Sequence, residues 1–256
     1  LMKGKLVDDW GFKYAVVSDW IATHALRDPA LAIKSKLSIE MPSAIVYKKP
    51  LFQKSFDEGK FTEEELNDCI ARSLRVMLKV GAIDPPENPN KGSRNTPEHL
   101  EFARKMAEGS FVLLKNDKNL LPIQEGKKIF LGGKFVDYNF APIGYGGSSA
   151  VVPPEYRTLR SWMEEIFGDS IQFVKKARDA DIAILTTGFT HAAYEDREGW
   201  DKSSIQLKKK QIKEIISTAY ENPNTIVVLY GGSATQLDPW IKKVVGLLVV
   251  WQPHQM

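Results

Sequence analysis

Two acidic residues, Asp19 and Glu198, each stand near a tryptophan in segments that could present a carboxylate to a substrate. Asp19 ends the run Y-A-V-V-S, which predicts a strand buried on both faces. Glu198 lies in the polar loop Y-E-D-R-E-G-W-D-K, after another predicted strand. Two carboxylates can cleave a glycosidic bond when one attacks the anomeric carbon and the other protonates the leaving oxygen and later activates water. Trp20 and Trp200 offer flat apolar faces on which a sugar ring can stack.

Both carboxylates also have ordinary structural interpretations. An aspartate at a strand end often caps the helix that follows, and most loop carboxylates are simply solvated. Other chemistry has less support, since the four histidines show no metal-ligand spacing. The one cysteine, Cys69, excludes an intrachain disulfide, and its helical context predicts a core position. The sequence therefore predicts neither a metal nor a cofactor.

The overall composition is that of an ordinary globular protein with a sizeable core. The chain has 256 residues, of which 43% are hydrophobic and 26% charged, and a net charge of +3 with acids and bases interspersed. That pattern argues against nucleic-acid or anionic-membrane binding. The longest apolar stretch, 244–251, is far below the ~20 residues of a membrane helix. No targeting segment is visible, which leaves cytoplasmic and secreted locations open, and both ends look cut.

The first part of the chain, residues 1–81, mixes strands and helices. Strands are expected at 14–18 and 37–41, and helices at Lys49–Asp57 and 63–80. The last of these should have one apolar face, formed by Leu66, Ile70, Leu74 and Met77. Residues 82–97 hold most of a proline-rich, polar run and are the expected linker between domains.

The second part, residues 98–256, alternates helices and strands. Helices are expected at 97–109, 159–167, 207–220 and 239–243, and strands at 111–114, 128–131, 181–186, 225–230 and 245–251. Continuous apolar strands between amphipathic helices indicate a parallel sheet covered on both faces. Ligands bind such sheets outside the carboxyl ends of the strands. Here those ends carry G-G-K, T-T-G-F-T-H and Y-G-G-S.

A collinear series of motifs covers almost the whole chain. The motifs are KGKLVDDWGFKYAVVSDWIATH, LSIEMP, RNTPEHLEFARKMAEGSFVLLKNDKNLLPI, GYGGSSAVVPP, REGWDKSSIQL and NPNTIVVLYGGSATQLDPW, with WQPHQ at the end. In this order they resemble glycoside hydrolase family 3. The first is similar to the family's R-G-x-x-G-F-x-G-x-V-x-S-D-W signature, and the fifth to its G-E-G-x-D-R-x-x-L-x-L-P loop.

The resemblance implies roles for individual residues. It makes Asp19 the catalytic nucleophile, Glu198 the acid/base and Trp20 a wall of the aglycone side. Glu40 and Met41 would line the substrate pocket, although Glu40 could equally be a buried structural partner.

Further residues of the acid/base loop have expected roles as well. Trp200, Tyr194 and Asp196 could shape the entrance, and shielding near Trp200 should raise the pKa of Glu198. Glu195 is the rival for the acid/base role. The loop 146–149 is unconvincing as a phosphate cradle, because the strand–glycine–helix context is absent.

The implied fold is α/β: the end of a (β/α)8 barrel in residues 1–81, joined by the linker to a C-terminally incomplete α/β sandwich. The implied activity is an exo-acting retaining β-glycosidase without a cofactor, with β-glucosidase as the first hypothesis and an oligosaccharide or an aryl or alkyl β-glycoside as substrate. A β-xylosidase or α-L-arabinosidase is the alternative within the family. A non-catalytic remnant or subunit is the alternative outside it, since the first six barrel strands would have to come from a missing N-terminal segment or a partner chain.

The sequence also departs from the family pattern. Lys36 and Ser38 stand where glycine and aspartate are usual, and Arg197 replaces the glycine before the acid/base. Lys202 replaces an arginine, and Lys208 opens a basic run expected on a solvated helix face.

Overall fold

The computed structural model describes residues 2–87, 92–138, 157–190 and 192–251. The chain divides into two compact units, Leu1–Gly92 and Ser93–Met256. This division falls within the segment 82–97 that composition marks as a linker. Across the described residues, every helix is too short or too polar to span a bilayer.

The first unit combines short helices with a small sheet. Its α-helices are α1 (Pro29–Lys34), α2 (Lys49–Asp57) and α3 (Glu63–Lys79), preceded by a π-helix at Met2–Asp9 and a 3-10 helix at Ala22–Ala25. Strands β1 (Val16–Val17) and β2 (Leu37–Ile39) pair in parallel, with Val16 opposite Leu37 and Val17 opposite Ile39. The 3-10 helix and α1 therefore form the crossover between two parallel strands.

Helix α3 begins at a capping box and carries the core cysteine. The Thr62 hydroxyl accepts the Glu65 N–H at 3.1 Å, and the Glu65 carboxylate accepts the Thr62 N–H at 3.0 Å, which satisfies two N–H groups at the helix start. Cys69 is buried against Ile33 and Phe61. Its predicted core position is confirmed.

One expectation for this unit is wrong. The strand expected to be buried on both faces has two residues, and Val17 is 52% exposed. Only two strands form this sheet in the described residues, and a two-stranded sheet covers little of its own surface. Helix α3 spans all four residues of its predicted apolar face, and Ile70, Leu74 and Met77 on that face are exposed.

The second unit is built on a six-stranded sheet. Its strands are β3 (Val112–Asn116), β4 (Lys128–Gly133), β5 (Gln172–Val174), β6 (Ile182–Gly188), β9 (Thr225–Tyr230) and β10 (Gly246–Trp251). They lie in the order β3-β10-β9-β6-β4-β5. The β3–β10 pair is antiparallel and the other pairs are parallel. The helices are α4 (Pro97–Ser110), α5 (Leu159–Phe167) and α6 (Lys209–Glu221), and the hairpin β7 (Asp196–Arg197) and β8 (Trp200–Asp201) lies outside the main sheet.

Alternate residues of the central strands enter two different cores. Ile184 and Val228 pack in a cluster that α5 covers through Met163. Leu185 and Val227, their neighbours in sequence, pack in another cluster with Ile215 of α6. Because side chains alternate between the faces of a strand, both faces are buried. This explains why these strands read as continuous apolar runs.

The sheet differs from the sequence expectation in three places. It is mixed, because edge strand β3 runs antiparallel to β10. Strand β5 was not predicted, because its three residues are too few to show a period. The helix expected at 239–243 is only a 3-10 turn at Ile241–Lys243, since five residues cannot recover the cost of starting an α-helix.

Two glycines allow neighbouring strands to approach closely at the carboxyl end of the sheet. Gly133 has φ +94° and Gly188 has φ +132°. A Cβ on Gly133 would lie 2.0 Å from the Thr186 carbonyl oxygen, and one on Gly188 would lie 1.8 Å from the Tyr230 carbonyl oxygen. The backbones of β4, β6 and β9 can approach this closely only without a Cβ. The loops that leave these three strands consequently start side by side.

Replacing Gly188 should therefore destabilise the second unit strongly. We expect Gly188→Ala to lower the free energy of unfolding by about 3 kcal/mol or more, because the new Cβ meets backbone at a φ that alanine avoids. Urea unfolding followed by circular dichroism measures the loss. The control is Gly109→Ala in α4, where a Cβ meets nothing within 4 Å and should be neutral or stabilise by up to about 1 kcal/mol. A loss at Gly188 no larger than that at Gly109 would contradict the close approach.

Candidate active site

The turn that follows β1 holds Asp19. The Ser18 N–H donates to the Ile39 carbonyl at 2.9 Å, and the Ser18 hydroxyl accepts the Met41 N–H at 2.9 Å. The Ile21 N–H donates to the Met41 carbonyl at 3.0 Å. The backbone on both sides of Asp19 is thus fixed to the segment after β2, while the Asp19 side chain itself is exposed.

Asp19 does not act as a helix cap. Its Oδ1 accepts the N–H of the next residue, Trp20, at 2.6 Å. The residue that precedes the 3-10 helix is Ile21, and no side chain caps that helix. The contacts therefore leave the structural interpretation of Asp19 without support, and they leave an exposed carboxylate on a fixed turn.

Trp20 and Met41 flank the turn that holds Asp19. Trp20 is 67% exposed, so its ring is free to meet another molecule, and Met41 is half-buried.

The Glu40 carboxylate accepts the hydroxyl of Thr23 and three backbone N–H groups, those of Ile45, Val46 and Tyr47, the last three at 2.9, 3.0 and 3.0 Å. Burial alone would raise the pKa of Glu40, but these hydrogen bonds outweigh it and hold the pKa below its ordinary value. The contacts favour the structural alternative for Glu40, an anchor for the loop that follows β2.

In the second unit, Glu198 lies at the tip of the β7–β8 hairpin. Arg197 pairs with Trp200, so Glu198 and Gly199 form a two-residue turn, and Gly199 takes φ +73°. Glu198 is exposed. The Trp200 ring meets the ring of Tyr194 edge-on, with centroids 5.5 Å apart. Within the second unit described by itself Glu198 is exposed, and the shielding expected near Trp200 stays a prediction.

Glu195, the rival acid/base, is buried and fully engaged. Its Oε2 accepts the Thr190 N–H and hydroxyl, both at 2.6 Å, and lies 3.4 Å from the Lys134 ammonium. Its Oε1 accepts from the Lys208 ammonium at 2.6 Å. Burial would raise the pKa of Glu195, but the bonds from Lys208 and Thr190 and the charge of Lys134 lower it to about 2. An ionised carboxylate with this many donors is unsuited to donate a proton, which leaves Glu198 as the better acid.

The run that Lys208 opens is exposed, as expected, and Lys208 has a contact that the sequence did not predict. The sequence places it in a basic run on a solvated helix face. The Lys208 side chain is 66% exposed, and its ammonium group pairs with the Glu195 carboxylate. The long side chain reaches back from the start of α6 to a buried charge, which periodicity alone does not reveal.

A cleft of about 460 Å³ lies beside Glu198. It is lined by Asp196, Arg197, Glu198, Asp201, Lys202, Ile205, Gly232, Ser233 and Ala234. The lining comes from the hairpin and from the loop after β9, at the carboxyl end of the sheet. A carboxyl group at the rim of such a cleft can exchange a proton with a bound hydroxyl or glycosidic oxygen.

One feature of the cleft is not evident from the sequence. Asp196 and Lys202 are almost completely buried and form an ion pair with a 3.3 Å separation, although the sequence suggests only that Asp196 shapes an entrance. Within the described ranges, no three histidine, cysteine or acidic side chains converge as metal ligands would, and the loop 146–149 lies outside those ranges.

The charge of Glu195 should stabilise the fold in a pH-dependent way. Its pKa falls from 4.5 to about 2 on folding, so the contribution is complete above pH 4.5 and is lost as the pH falls toward 2. We expect Glu195→Gln to lower the free energy of unfolding by about 2 kcal/mol at pH 7, and this deficit should shrink steadily below pH 4.5. Urea titrations from pH 7 to pH 2.5 measure it, with the exposed Glu125→Gln as control. A deficit that stays constant with pH would show that the charge is not involved.

Comparison with known proteins gives a consistent result. The sequence pattern of the glycosyl hydrolase family 3 C-terminal domain matches residues 111–256. An exo-α-(1→6)-L-arabinopyranosidase from Bifidobacterium breve is 27% identical over 98% of this chain and 35% of its own length. The thermostable β-glucosidase B of Acetivibrio thermocellus is 28% identical over 97% of this chain and 34% of its own length.

Solved structures agree with these sequence matches. The crystal structure of the Bifidobacterium adolescentis GH3 β-glucosidase covers 100% of this chain and 38% of its own, with 26% identity and a TM-score of 0.79. The chain thus spans about a third of the length of the curated relatives it matches. The match over residues 111–256 covers more than half of the chain and coincides with the α/β unit that carries Glu198. The chain belongs to glycoside hydrolase family 3.

Proposed function

We propose that this chain supplies both catalytic carboxylates of an exo-acting, retaining β-glycosidase. Asp19 is the nucleophile and Glu198 the acid/base. The observation that carries the proposal is where the candidate carboxylates lie: the Glu195 side chain is buried beside Thr190 and Glu40 anchors the loop after β2, whereas Asp19 and Glu198 are exposed at the surface, on a fixed turn and at a hairpin tip. These two are also the residues that match the family motifs.

The reaction proceeds by two displacements. An Asp19 carboxylate oxygen attacks the anomeric carbon while Glu198 gives its proton to the glycosidic oxygen, so the aglycone leaves as an alcohol and a glycosyl ester forms on Asp19. Glu198, now a carboxylate, takes a proton from water as that water attacks the same carbon. Asp19 leaves as a carboxylate, and two inversions give net retention. Trp20 provides an apolar face for the aglycone.

The sugar pocket in this proposal requires the first six barrel strands, from an N-terminal segment or a partner chain. The assays below therefore use a polypeptide or complex that carries those strands with this chain. β-Glucosides are the first substrates to test, as β-glucosidases are among the relatives. An α-L-arabinoside is the second, because another relative is named as an arabinopyranosidase. An assembly that is folded yet hydrolyses neither class would favour the non-catalytic alternative.

Loss of the Asp19 carboxylate should stop the first displacement. We expect Asp19→Ala to reduce kcat/KM on aryl β-glucosides by about 1,000-fold or more. Azide should restore turnover by attacking in place of Asp19, and the product should be the α-glucosyl azide because only one inversion occurs. The exposed Asp57→Ala on α2 serves as control. Near-normal turnover of Asp19→Ala, or a β-azide product, would remove Asp19 from this role.

Loss of the Glu198 acid should depend on the leaving group. We expect Glu198→Ala to lower kcat/KM by about 10²–10⁴-fold on alkyl β-glucosides and little on the dinitrophenyl β-glucoside, whose leaving group needs no proton. Azide should then attack the glycosyl ester and give the β-glucosyl azide. Equal losses on both substrates, or a selective loss in Glu195→Ala instead, would contradict the assignment.

A further inference from the structure

We propose that Asp196 is the positioning residue for Glu198, acting by fixing the β7–β8 hairpin to the turn that follows β9. This inference rests on the proposed role of Glu198 as acid/base. Asp196 itself touches neither substrate nor reacting atoms in this scheme. Its effect on catalysis passes through the backbone of the hairpin, two residues away from Glu198.

The hairpin needs an external anchor. It has only two residue pairs, Asp196 with Asp201 and Arg197 with Trp200, and an isolated two-stranded hairpin is marginal in water. A tip that moves by about 1 Å can cost about 100-fold in rate when it carries a catalytic group. Something beyond the ladder must therefore hold Glu198 in place.

The Asp196 carboxylate makes that connection to β9. Its Oδ2 accepts the Gly232 N–H at 2.8 Å, and its Oδ1 accepts the Ser233 hydroxyl at 2.5 Å. Gly231 makes room for this approach, since a Cβ there would lie 3.2 Å from Asp196 Oδ2. The hairpin and the β9 turn also line the cleft beside Glu198. One side chain thereby fixes the two walls of the cleft to each other.

The same carboxylate also pairs with Lys202, the residue that follows β8 at the end of the hairpin opposite its tip. The Lys202 ammonium lies 3.3 Å from Asp196 Oδ1 and 3.6 Å from the centroid of the Phe189 ring. The side chains of Lys202 and Asp196 are only 9% and 7% exposed. An ion pair shielded from water to this degree is strongly disrupted when one partner loses its charge. Asp196 on β7 therefore also binds the residue that follows β8, and Glu198 lies at the turn between these two strands.

Glu195 anchors a different part of the loop. It binds Thr190, Lys134 and Lys208, and it fixes the path from β6 to the hairpin. Asp196 is closer to Glu198 in sequence than Glu195 is, and it contacts the turn after β9. Loss of Asp196 should thus loosen the hairpin while the sheet and Glu195 remain in place.

The test is Asp196→Asn, which keeps the acceptor oxygen for one donor but removes the charge that holds Lys202. In the assembly used above, kcat/KM on alkyl β-glucosides should fall about 10- to 100-fold, and kcat/KM on the dinitrophenyl β-glucoside should stay within about 3-fold of wild type. Amide hydrogen exchange across residues 197–202 should accelerate. The matched control is Asp169→Asn, which changes an exposed carboxylate of the same unit, after α5 and outside the lining of the cleft, and should alter neither measurement.

Three outcomes overturn the proposal: unchanged kinetics in Asp196→Asn, an equal loss on both substrates, or the same selective loss in Asp169→Asn. If Asp196→Asn does not fold, Ser233→Ala is the substitute, because it removes one hydrogen-bond donor to the Asp196 carboxylate. It should give a smaller loss of kcat/KM with the same dependence on the leaving group. If Ser233→Ala shows no such loss, the proposal is contradicted. Glu198→Ala, measured in parallel, separates the two ideas. A non-selective Glu198→Ala overturns the proposed function, whereas a selective Glu198→Ala with a normal Asp196→Asn overturns only the positioning role.

Discussion

Two adjacent buried carboxylates, Glu195 and Asp196, hold the loop after β6 from opposite sides. Glu195 reaches Thr190 and Lys208, and Asp196 reaches the turn after β9. Burying two neighbouring negative charges costs free energy unless each is paired and hydrogen-bonded. Both are: Lys134 and Lys208 pair with Glu195, and Lys202 pairs with Asp196. The position of Glu198 depends on this arrangement.

The sheet beneath the loop makes the arrangement possible. Gly133 and Gly188 allow three parallel strands to end in close contact, and buried apolar side chains on both faces keep those strands fixed. The loops that leave the strands can then exchange hydrogen bonds over short distances, as Asp196 does with Gly232. In the first unit, hydrogen bonds between Ser18 and Met41 give the turn of Asp19 a comparable fixed base.

Local signals in the sequence predicted many elements and the candidate carboxylates. Helix α5 has its expected bounds because Thr158 caps it and an amphipathic run follows, and strand β9 has its expected bounds because T-I-V-V-L-Y is apolar throughout. The motif around Asp19 and Trp20 identified a turn whose hydrogen bonds fit an exposed nucleophile. Each of these depends on neighbours in sequence.

The remaining features depend on distant residues, and local patterns could not reveal them. Glu195 and Glu198 are the same residue type in one loop, and Glu195 is set apart by its contacts with Lys134, Thr190 and Lys208. The burial expected for β1 failed for a similar reason, since the strand needs neighbours that local sequence does not supply. Glu40 looked like a pocket residue until its contacts with Val46 and Tyr47 were visible.

The central claim is that Asp19 becomes covalently glycosylated during turnover. The most direct measurement is to trap that ester with 2,4-dinitrophenyl 2-deoxy-2-fluoro-β-D-glucoside in the assembly that carries all the barrel strands, followed by proteolysis and tandem mass spectrometry. The fluorine slows both displacements while the reactive leaving group lets the first proceed, so the ester should accumulate. We expect a single fluoroglucosyl group on the peptide that contains Asp19, specifically on its side chain. A label on Glu198, Glu195 or any other carboxylate, or no label in an assembly that hydrolyses the unfluorinated glucoside, would contradict the account.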